Sequence, residues 1–212
     1  MNENNNGRGL FYGVIGVATL IVAIIGATFA YFSVNASITN NSDIAGSTVE
    51  LSDTTIAGTL TRVTPSTVSM VPLKTEELQK GITGEGNQKC IDENGAKVCD
   101  IYTLTINNTS NAPVSLAGNL NITATDMADL RWSLLESPDS ATGATAKAVS
   151  DTVIVANELL AAKNGTKTYH FVIWFNETEL NQNAQAGKSY TGTVTFTAAN
   201  GGKITAQFSS GS

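Results

Sequence analysis

The sequence is poor in residues that commonly carry catalytic or metal-binding chemistry. Its 212 residues include one histidine, His170, and two cysteines, Cys90 and Cys99. A single histidine excludes HExxH and every other two-histidine metal site, and no Walker, GxSxG or dinucleotide-binding loop occurs. We therefore expect no enzyme activity, no catalytic residue and no cofactor.

Acidic side chains occur in pairs, but each pair has a structural explanation. Glu76 and Glu77 are expected in the first turn of a short helix, and Asp92 and Glu93 in a turn. The aspartates and glutamates show no ligand spacing typical of a Ca²⁺ loop. We expect these carboxylates to be solvated, with no metal site.

Positive charge is also scarce. Lysine and arginine number 12 against 18 aspartates and glutamates, which gives a net charge of -6. Without a basic surface to neutralise phosphates, a nucleic-acid partner is not expected. Mutual repulsion between acidic copies would instead keep subunits soluble before any assembly.

The two cysteines predict a structural disulfide. Eight residues separate Cys90 from Cys99, which is wrong for CxxC redox chemistry, and no second Cys/His pair completes a zinc site. Asn94-Gly95 favours a two-residue type I′ hairpin loop that would place Cys90 directly opposite Cys99. An extracytoplasmic compartment would preserve such a bond.

The longest apolar run lies near the N-terminus. Residues 9–42 carry no charge, and residues 10–32 are almost entirely apolar. The length suits a membrane-spanning anchor. A cleaved signal peptide is the other interpretation, with Thr28 and Ala30 suiting cleavage after Ala30 and Val34 and Ala36 suiting cleavage after Ala36. Both interpretations place an N-terminal hydrophobic signal or anchor helix at residues 1–30, a flexible arm at 31–45 and an exported domain at 46–212.

The exported domain is rich in period-two patterns typical of β-strands. Apolar residues alternate with threonines and other polar residues near residues 49–51, 102–106, 114–122 and 190–198. Residues 169–175 are apolar on both faces and predict an interior strand. These patterns predict an all-β, antiparallel sandwich of jelly-roll type.

Glycine-containing turns suggest how neighbouring strands pair. Asn164-Gly165 would fold residues 169–175 back onto residues 153–160, with Leu160 opposite Tyr169. A three-residue loop at 200–202 would place Phe196 opposite Ala206, with glycine in the left-handed position.

Four phrases resemble the TasA–camelysin family of secreted biofilm-matrix proteins. They are residues 26–33 (GATFAYFS), similar to that family's leader junction; 44–52 (IAGSTVELS), similar to its first mature strand; 104–114 (LTINNTSNAPV); and 181–189 followed by 194–198. The resemblance implies a jelly roll and a SipW-type signal peptide released by a dedicated signal peptidase. The Cys90–Cys99 hairpin departs from the pattern.

The resemblance implies a structural function outside the cell or on its surface. The freed arm, with Tyr31, Phe32, Val34 and Ile38, would add as a donor strand to a neighbouring copy and build a homopolymeric matrix fibre. One alternative is a membrane-tethered β-sandwich that binds a surface partner, held through residues 10–32. A camelysin-like metallopeptidase is a further alternative, but the lone His170 with Glu177 forms no metal motif.

Overall fold

The computed structural model describes residues 48–53, 55–64, 70–85, 88–185 and 187–210, together with Gly16, Val17 and Thr19. The chain divides into two compact units, residues 1–36 and 37–212. The three described residues of the first unit are helical and exposed. In the described part of the chain, no helix combines the length and hydropathy needed to cross a membrane.

Several sequence predictions lie outside the described residues. They are the cleavage site at Ala30, the donor residues Tyr31, Phe32, Val34 and Ile38, and, apart from Gly16, Val17 and Thr19, the apolar segment 10–32.

The second unit is all-β, as the alternating patterns predict. Its described strands are β1 (Thr48–Ser52), β2 (Ile56–Arg62), β3 (Cys99–Asn108), β4 (Val114–Ala124), β5 (Leu130–Leu135), β6 (Lys147–Ala148), β7 (Val153–Leu160), β8 (Thr166–Phe175), β9 (Tyr190–Ala198) and β10 (Lys203–Ser209). A 3₁₀ turn (Thr75–Glu77) leads directly into one short helix, α1 (Leu78–Thr83). A second 3₁₀ turn spans Asn183–Gln185.

The strands form two antiparallel sheets. Sheet A has the order β1-β2-β3-β8-β5-β6, and sheet B has the order β10-β9-β4-β7. Within them, β2-β3-β8-β5 faces β10-β9-β4, which is the ABED and GFC arrangement of an immunoglobulin-type sandwich. The strand order therefore differs from the jelly-roll prediction, because period-two patterning specifies strands and faces but not the order in which strands pair.

Aromatic side chains fill the space between the sheets. Tyr102 of β3 stacks on Phe171 of β8 at 5.2 Å and contacts Phe208 of β10 at 4.6 Å, measured between ring centroids. Tyr169 of β8 similarly meets Phe196 of β9 at 5.0 Å. These contacts fix which parity of each strand points inward, and the inward residues are almost all buried.

A further layer covers the outer face of sheet A. Trp174, Val172, Ile101 and Cys99 have the parity opposite to the inter-sheet core, yet all are fully buried. The segment containing α1 and the disulfide hairpin packs on this face: Leu73 donates its backbone N–H to the Phe175 carbonyl at 2.8 Å. The buried apolar core thus continues through sheet A into a layer under α1.

Two hairpin loops confirm glycine as the turn signal but correct the register, by one residue in the disulfide hairpin and by two in the β9–β10 hairpin. In the disulfide hairpin, Asp92 donates its N–H to the Ala96 carbonyl, so the loop has three residues and ends at Gly95, where φ is +76°. The β9–β10 loop likewise ends at Gly201, φ +97°, and pairs Phe196 with Ile204. Glycine supplies the left-handed third position of each loop.

The predicted hairpin at Asn164-Gly165 is wrong. β7 pairs with β4 in sheet B, where Leu160 lies opposite Val114, whereas Tyr169 of β8 lies opposite Leu104 in sheet A. The 161–165 connection crosses between the sheets, with Lys163 and Asn164 at positive φ. The interior position predicted for residues 169–175 is confirmed, since β8 lies between β3 and β5.

Candidate functional site: the open β10 edge and its buried ion cluster

Four strands lie at the edges of the two sheets, and they differ in how well they are protected against pairing with another chain. On one side, β6 has only two residues, and the pairing of β7 with β4 contains two register shifts. Short and bulged edge strands are standard protections against strand addition. On the other side, β1 and β10 pair without interruption over five and seven residues.

The side of β10 that faces away from β9 carries backbone groups without hydrogen bonds to other described residues. Hydrogen bonds from Ala198 N–H to the Gly202 carbonyl and from Ser210 N–H to the Tyr190 carbonyl show that even-numbered residues bond to β9. The N–H and C=O groups of odd-numbered residues therefore point away from the sheet. For Thr205 and Gln207, these outward groups have no partner within the described part of the chain.

Both ends of this edge strand are fixed. At its start, the Lys203 N–H donates to the Asp53 carboxylate at 3.2 Å. At its end, the Tyr102 hydroxyl donates to the Ser209 carbonyl at 3.2 Å, and the Lys97 ammonium donates to the Ser210 carbonyl at 3.1 Å. The edge is thus a rigid, extended segment, which is the preorganisation that an incoming strand requires.

The C-terminal anchor is part of a buried ion cluster centred on Asp100. Its Oδ1 accepts from Arg62 Nη2 at 2.6 Å, from Arg62 Nε at 3.0 Å and from Thr64 Oγ1 at 3.0 Å. Lys97 Nζ lies 2.8 Å from the same oxygen, and the Tyr190 hydroxyl donates to Oδ2 at 2.7 Å. The side chains of Lys97 and Asp100 are fully buried and that of Arg62 is almost fully buried. The Asp100 carboxylate is therefore the counter-charge of two buried cations.

Burial and charge act differently on the two cations. Burial lowers the pKa of Lys97, and attraction to Asp100 offsets this only in part. Burial also opposes the charge on Arg62, but Coulombic attraction to Asp100 and the hydrogen bonds that Arg62 donates to it outweigh this effect, so the pKa of Arg62 is raised. Burial is likewise the main cause of the raised pKa values of Tyr102 and Tyr190.

The cluster is built to hold strands together, not to meet a substrate. A lysine with a lowered pKa is a potential nucleophile, but Lys97 has no exposed side-chain surface from which to attack one. All the polar contacts of Asp100 instead join the end of β2, the start of β3 and the start of β9. Through Lys97, the cluster also fixes the residue that follows β10.

The predicted disulfide is present, on the outer face of sheet A. Cys90 and Cys99 are bonded with their Cα atoms 4.9 Å apart, although Cys90 has φ +60° and its carbonyl accepts from the N–H of Val98, the neighbour of Cys99. The one-residue shift of the loop therefore leaves the bond intact, because the Cα separation stays within the range that a disulfide accepts.

The other singled-out residues do not converge on one site. His170 lies in the middle of β8 with Nδ1 2.9 Å from the Thr103 hydroxyl. Its pKa is lowered, chiefly by burial. Glu177 follows β8, where its N–H bonds the Leu73 carbonyl. Within the described ranges, no three or more His, Cys, Asp or Glu side chains come close enough to hold a metal ion.

Sequence reasoning missed the ion cluster, although a signal for it existed. Asp100 shares the parity of Tyr102, Leu104 and Ile106, so its side chain must point toward the core between the sheets. A charged residue on the apolar parity of a strand predicts a buried partner of opposite charge. Its partner Arg62 likewise continues the inward parity of Ile56 and Leu60.

No protein-family model and no curated protein matches this chain. Among solved structures, it is similar to a FixG-related protein from Vibrio parahaemolyticus, with 10% identity over 73% of this chain and 93% of that one and a TM-score of 0.35. It is also similar to the GAE domain of GGA2p from Saccharomyces cerevisiae, with 10% identity over 77% and 96% and a TM-score of 0.31. A family 123 glycoside hydrolase from Clostridium perfringens matches with 14% identity over 74% and 27% and a TM-score of 0.36. All three TM-scores are below 0.5, so no functional conclusion is drawn from these similarities.

Proposed function

We propose that this protein is an exported structural subunit that assembles head to tail by strand donation. In this proposal, the arm at residues 31–45 of one copy pairs with the β10 edge of the next. The regular β10 edge, with the outward backbone groups of Thr205 and Gln207 unpaired, is the observation that carries the proposal. Because donor and acceptor are different surfaces, the contact does not close and repeats into a filament.

The arm sequence suits this role in both length and pattern. Residues 32–38 alternate apolar Phe32, Val34, Ala36 and Ile38 with polar Ser33, Asn35 and Ser37. That run of seven matches the seven residues of β10. Laid along the edge, the apolar residues would extend the inner face that Ile204, Ala206 and Phe208 form, and the polar ones would face water.

Side-chain burial would contribute more to this contact than backbone pairing. Thr205 and Gln207 offer two N–H and two C=O groups, each worth about 0.5–1.5 kcal/mol net when bonded. Burying Phe32, Val34 and Ile38 contributes about 1.5–3 kcal/mol each. The edge would therefore set the register of the incoming strand, and the apolar arm residues would set the affinity.

Export would determine when the arm becomes available for assembly. We propose that residues 1–30 form an N-terminal signal helix, that the chain enters the membrane through residues 10–32, and that a signal peptidase cuts after Ala30. The arm would stay joined to the leader until that cut and become free outside the cell. The Cys90–Cys99 disulfide favours an oxidising compartment, and the TasA–camelysin resemblance supports a biofilm-matrix role.

The test compares two forms of the protein, residues 31–212 and residues 46–212, by electron microscopy and sedimentation. The account predicts filaments from the first form and monomers from the second, with equal free energies of unfolding because the described fold begins at Thr48. Filaments from the armless form would overturn the mechanism.

A membrane-tethered binding module is the second candidate. It requires that residues 10–32 remain attached as an anchor, so that the β-sandwich stands on the surface and binds a partner. N-terminal sequencing of the native protein distinguishes the two candidates: a chain that begins at Tyr31 supports filament assembly, and one that begins at Met1 or Asn2 supports the tether.

A further inference from the structure

The outer face of sheet A contains a buried hydrogen-bond donor without a partner. Trp174 is fully buried, and no acceptor in the described part of the chain lies within hydrogen-bond reach of its indole Nε1. The other tryptophan of the chain behaves as buried tryptophans usually do, since Trp132 Nε1 donates to the Asp151 carbonyl at 2.8 Å. Since buried polar groups are nearly always paired, an unpaired one requires an explanation.

Trp174 lies in the wall of a cleft of about 280 Å³. On one side are the 3₁₀ turn and the start of α1, and on the other is the 141–146 loop. The polar lining comes from Thr75, Glu76 and Thr142, and the apolar lining from Ala141, Ala144 and Ala146. We call this site the Trp174 cleft.

The two walls are held at a fixed separation by Gln79. Its Nε2 donates to the Asp139 carbonyl at 3.1 Å, and its Oε1 accepts from the Ala141 N–H at 2.7 Å. On the helix side, Thr75 donates to Asn176 Oδ1 at 2.7 Å. The cleft is therefore preformed, as binding sites for small ligands usually are.

The lining selects a ligand that both accepts and donates hydrogen bonds. The indole N–H can only donate, so it requires an acceptor oxygen, whereas an ionised Glu76 can only accept and requires a donor. Hydroxyl groups satisfy both, and the alanine methyls suit a C–H surface. The volume lies just below the usual range of sites for drug-sized ligands, so the ligand must be small. We propose that the Trp174 cleft binds a single sugar unit of an extracellular polysaccharide.

This proposal does not depend on strand donation. The cleft lies on the outer face of sheet A, and the proposed assembly edge is in sheet B. A filament subunit and a tethered surface module would both gain a carbohydrate contact from it.

Two tryptophans make the test direct, because the ¹⁵N-labelled protein gives two indole signals in a proton–nitrogen NMR spectrum. The full-length mature protein is titrated with the methyl glycosides of glucose, galactose, mannose and N-acetylglucosamine. We expect the Trp174 signal, assigned from Trp174→Phe, to shift with at least one of them while the Trp132 signal stays in place.

Two variants and a control sharpen the result. Ala144→Leu fills the cleft and should abolish the shift, whereas Ala161→Leu, at an exposed position in the β7–β8 connection, should leave it intact. Trp174→Phe keeps an aromatic ring at this position but removes the unpaired N–H. It should weaken sugar binding, followed by calorimetry, about tenfold.

Three results would overturn the proposal. The first is no indole shift with any of the four glycosides, which would leave bound water as the partner of Trp174. The second is a shift that survives Ala144→Leu. The third is sugar binding by Trp174→Phe as tight as that of the wild type, which would mean that the indole N–H does not bond the sugar.

Discussion

The edge strands on the two sides of the sandwich differ in how well they are protected against pairing with another strand. On the β6–β7 side, one edge strand is only two residues long and the other carries two register shifts. Side chains also bridge the two edges there, since Lys147 donates to the Val153 carbonyl at 3.0 Å. On the β1–β10 side, the strands are regular, and β10 is fixed at both ends.

The two edges show that an exposed apolar side chain does not by itself make a strand a good acceptor for another strand. Leu159 of β7 is 71% exposed and is among the most exposed apolar side chains of the described fold, yet its strand is bulged. The outer face of β10 carries the polar Thr205 and Gln207, yet the strand is free of register shifts and the outward backbone groups of these two residues have no partner in the described part of the chain. Since main-chain geometry decides whether a strand can be added, the polar-faced edge is the better acceptor.

The largest difference between the two edges is expected when a proline is placed in each of them. Gln207→Pro removes an N–H that points away from β9, so the native ladder keeps its bonds while an incoming strand loses one. Ala156→Pro makes the corresponding change in the β7 bulge. We expect Gln207→Pro to abolish filaments and Ala156→Pro to leave them unchanged, as measured by sedimentation and electron microscopy.

Gln207→Ala is the matched control for this experiment, because it shortens the same side chain and keeps the N–H. It should assemble normally. Filaments from Gln207→Pro that match the wild type, in a protein shown by circular dichroism to be folded, would remove β10 as the acceptor.

The next largest effect is expected at the ion cluster that anchors β10. Asp100→Asn leaves Lys97 and Arg62 buried without a counter-charge, which typically lowers the free energy of unfolding by about 3–5 kcal/mol. Asp151→Asn is the control, because its partner Lys147 lies 3.9 Å away at a partly exposed site, where such pairs contribute about 0–1 kcal/mol. Urea denaturation measures both. Equal losses would show that the cluster is not an anchor.

Breaking the disulfide should affect stability without affecting the edges. The bond closes a short loop with a sequence separation of 9, for which chain entropy predicts a stabilisation of about 2–3 kcal/mol. The double variant Cys90→Ser, Cys99→Ser should lose that amount in denaturation experiments and still form filaments. Loss of assembly in the folded variant would show that the outer layer takes part in the contact.

The smallest effect is a change of slope at alkaline pH. Tyr102 and Tyr190 have raised pKa values because they are buried, so above pH 10 the unfolded chain loses protons that the folded chain keeps. Stability therefore falls as pH rises, by about 1.4 kcal/mol per pH unit for each such tyrosine. Lys97, whose pKa is lowered, has the opposite sign, with stability rising until about pH 10.5.

Tyr190→Phe isolates one of these contributions. Its unfolding free energy, measured from pH 8 to 11, should fall less steeply than that of the wild type by about 1.4 kcal/mol per pH unit above pH 10. The Lys97 contribution is present in both proteins and cancels to first order. Identical slopes would mean that Tyr190 is not held protonated by the fold.

The sequence predicted the positions of the strands better than it predicted which strands pair with each other. Alternation located β3, β4 and β9, and the doubly apolar run located β8 as an interior strand. Alternation cannot say which strands pair across a crossover, so β7 was assigned to the wrong sheet. Both hairpins were predicted in the wrong register. The disulfide hairpin was given a two-residue loop where the structure has three residues, and the three-residue β9–β10 loop was placed at 200–202, one residue too late.

The candidate site was predictable only in part. The disulfide follows from the spacing of Cys90 and Cys99 around the Asn94-Gly95 turn. The anchoring of β10 was not predicted, because Lys97 and Arg62 come from different loops and strands and meet only through Asp100. Sequence separation hides such contacts, although the inward parity of Asp100 shows that one must exist.

The most direct test of strand donation is an inter-chain cross-link. The two native cysteines are paired with each other, so single cysteines at Ser33, Asn35 or Ser37 in one copy can be mixed with Gln207→Cys or Leu159→Cys in another. The account predicts cross-linked dimers between an arm cysteine and Gln207→Cys. Cross-links to Leu159→Cys instead, or to neither position in samples that contain filaments, would contradict it.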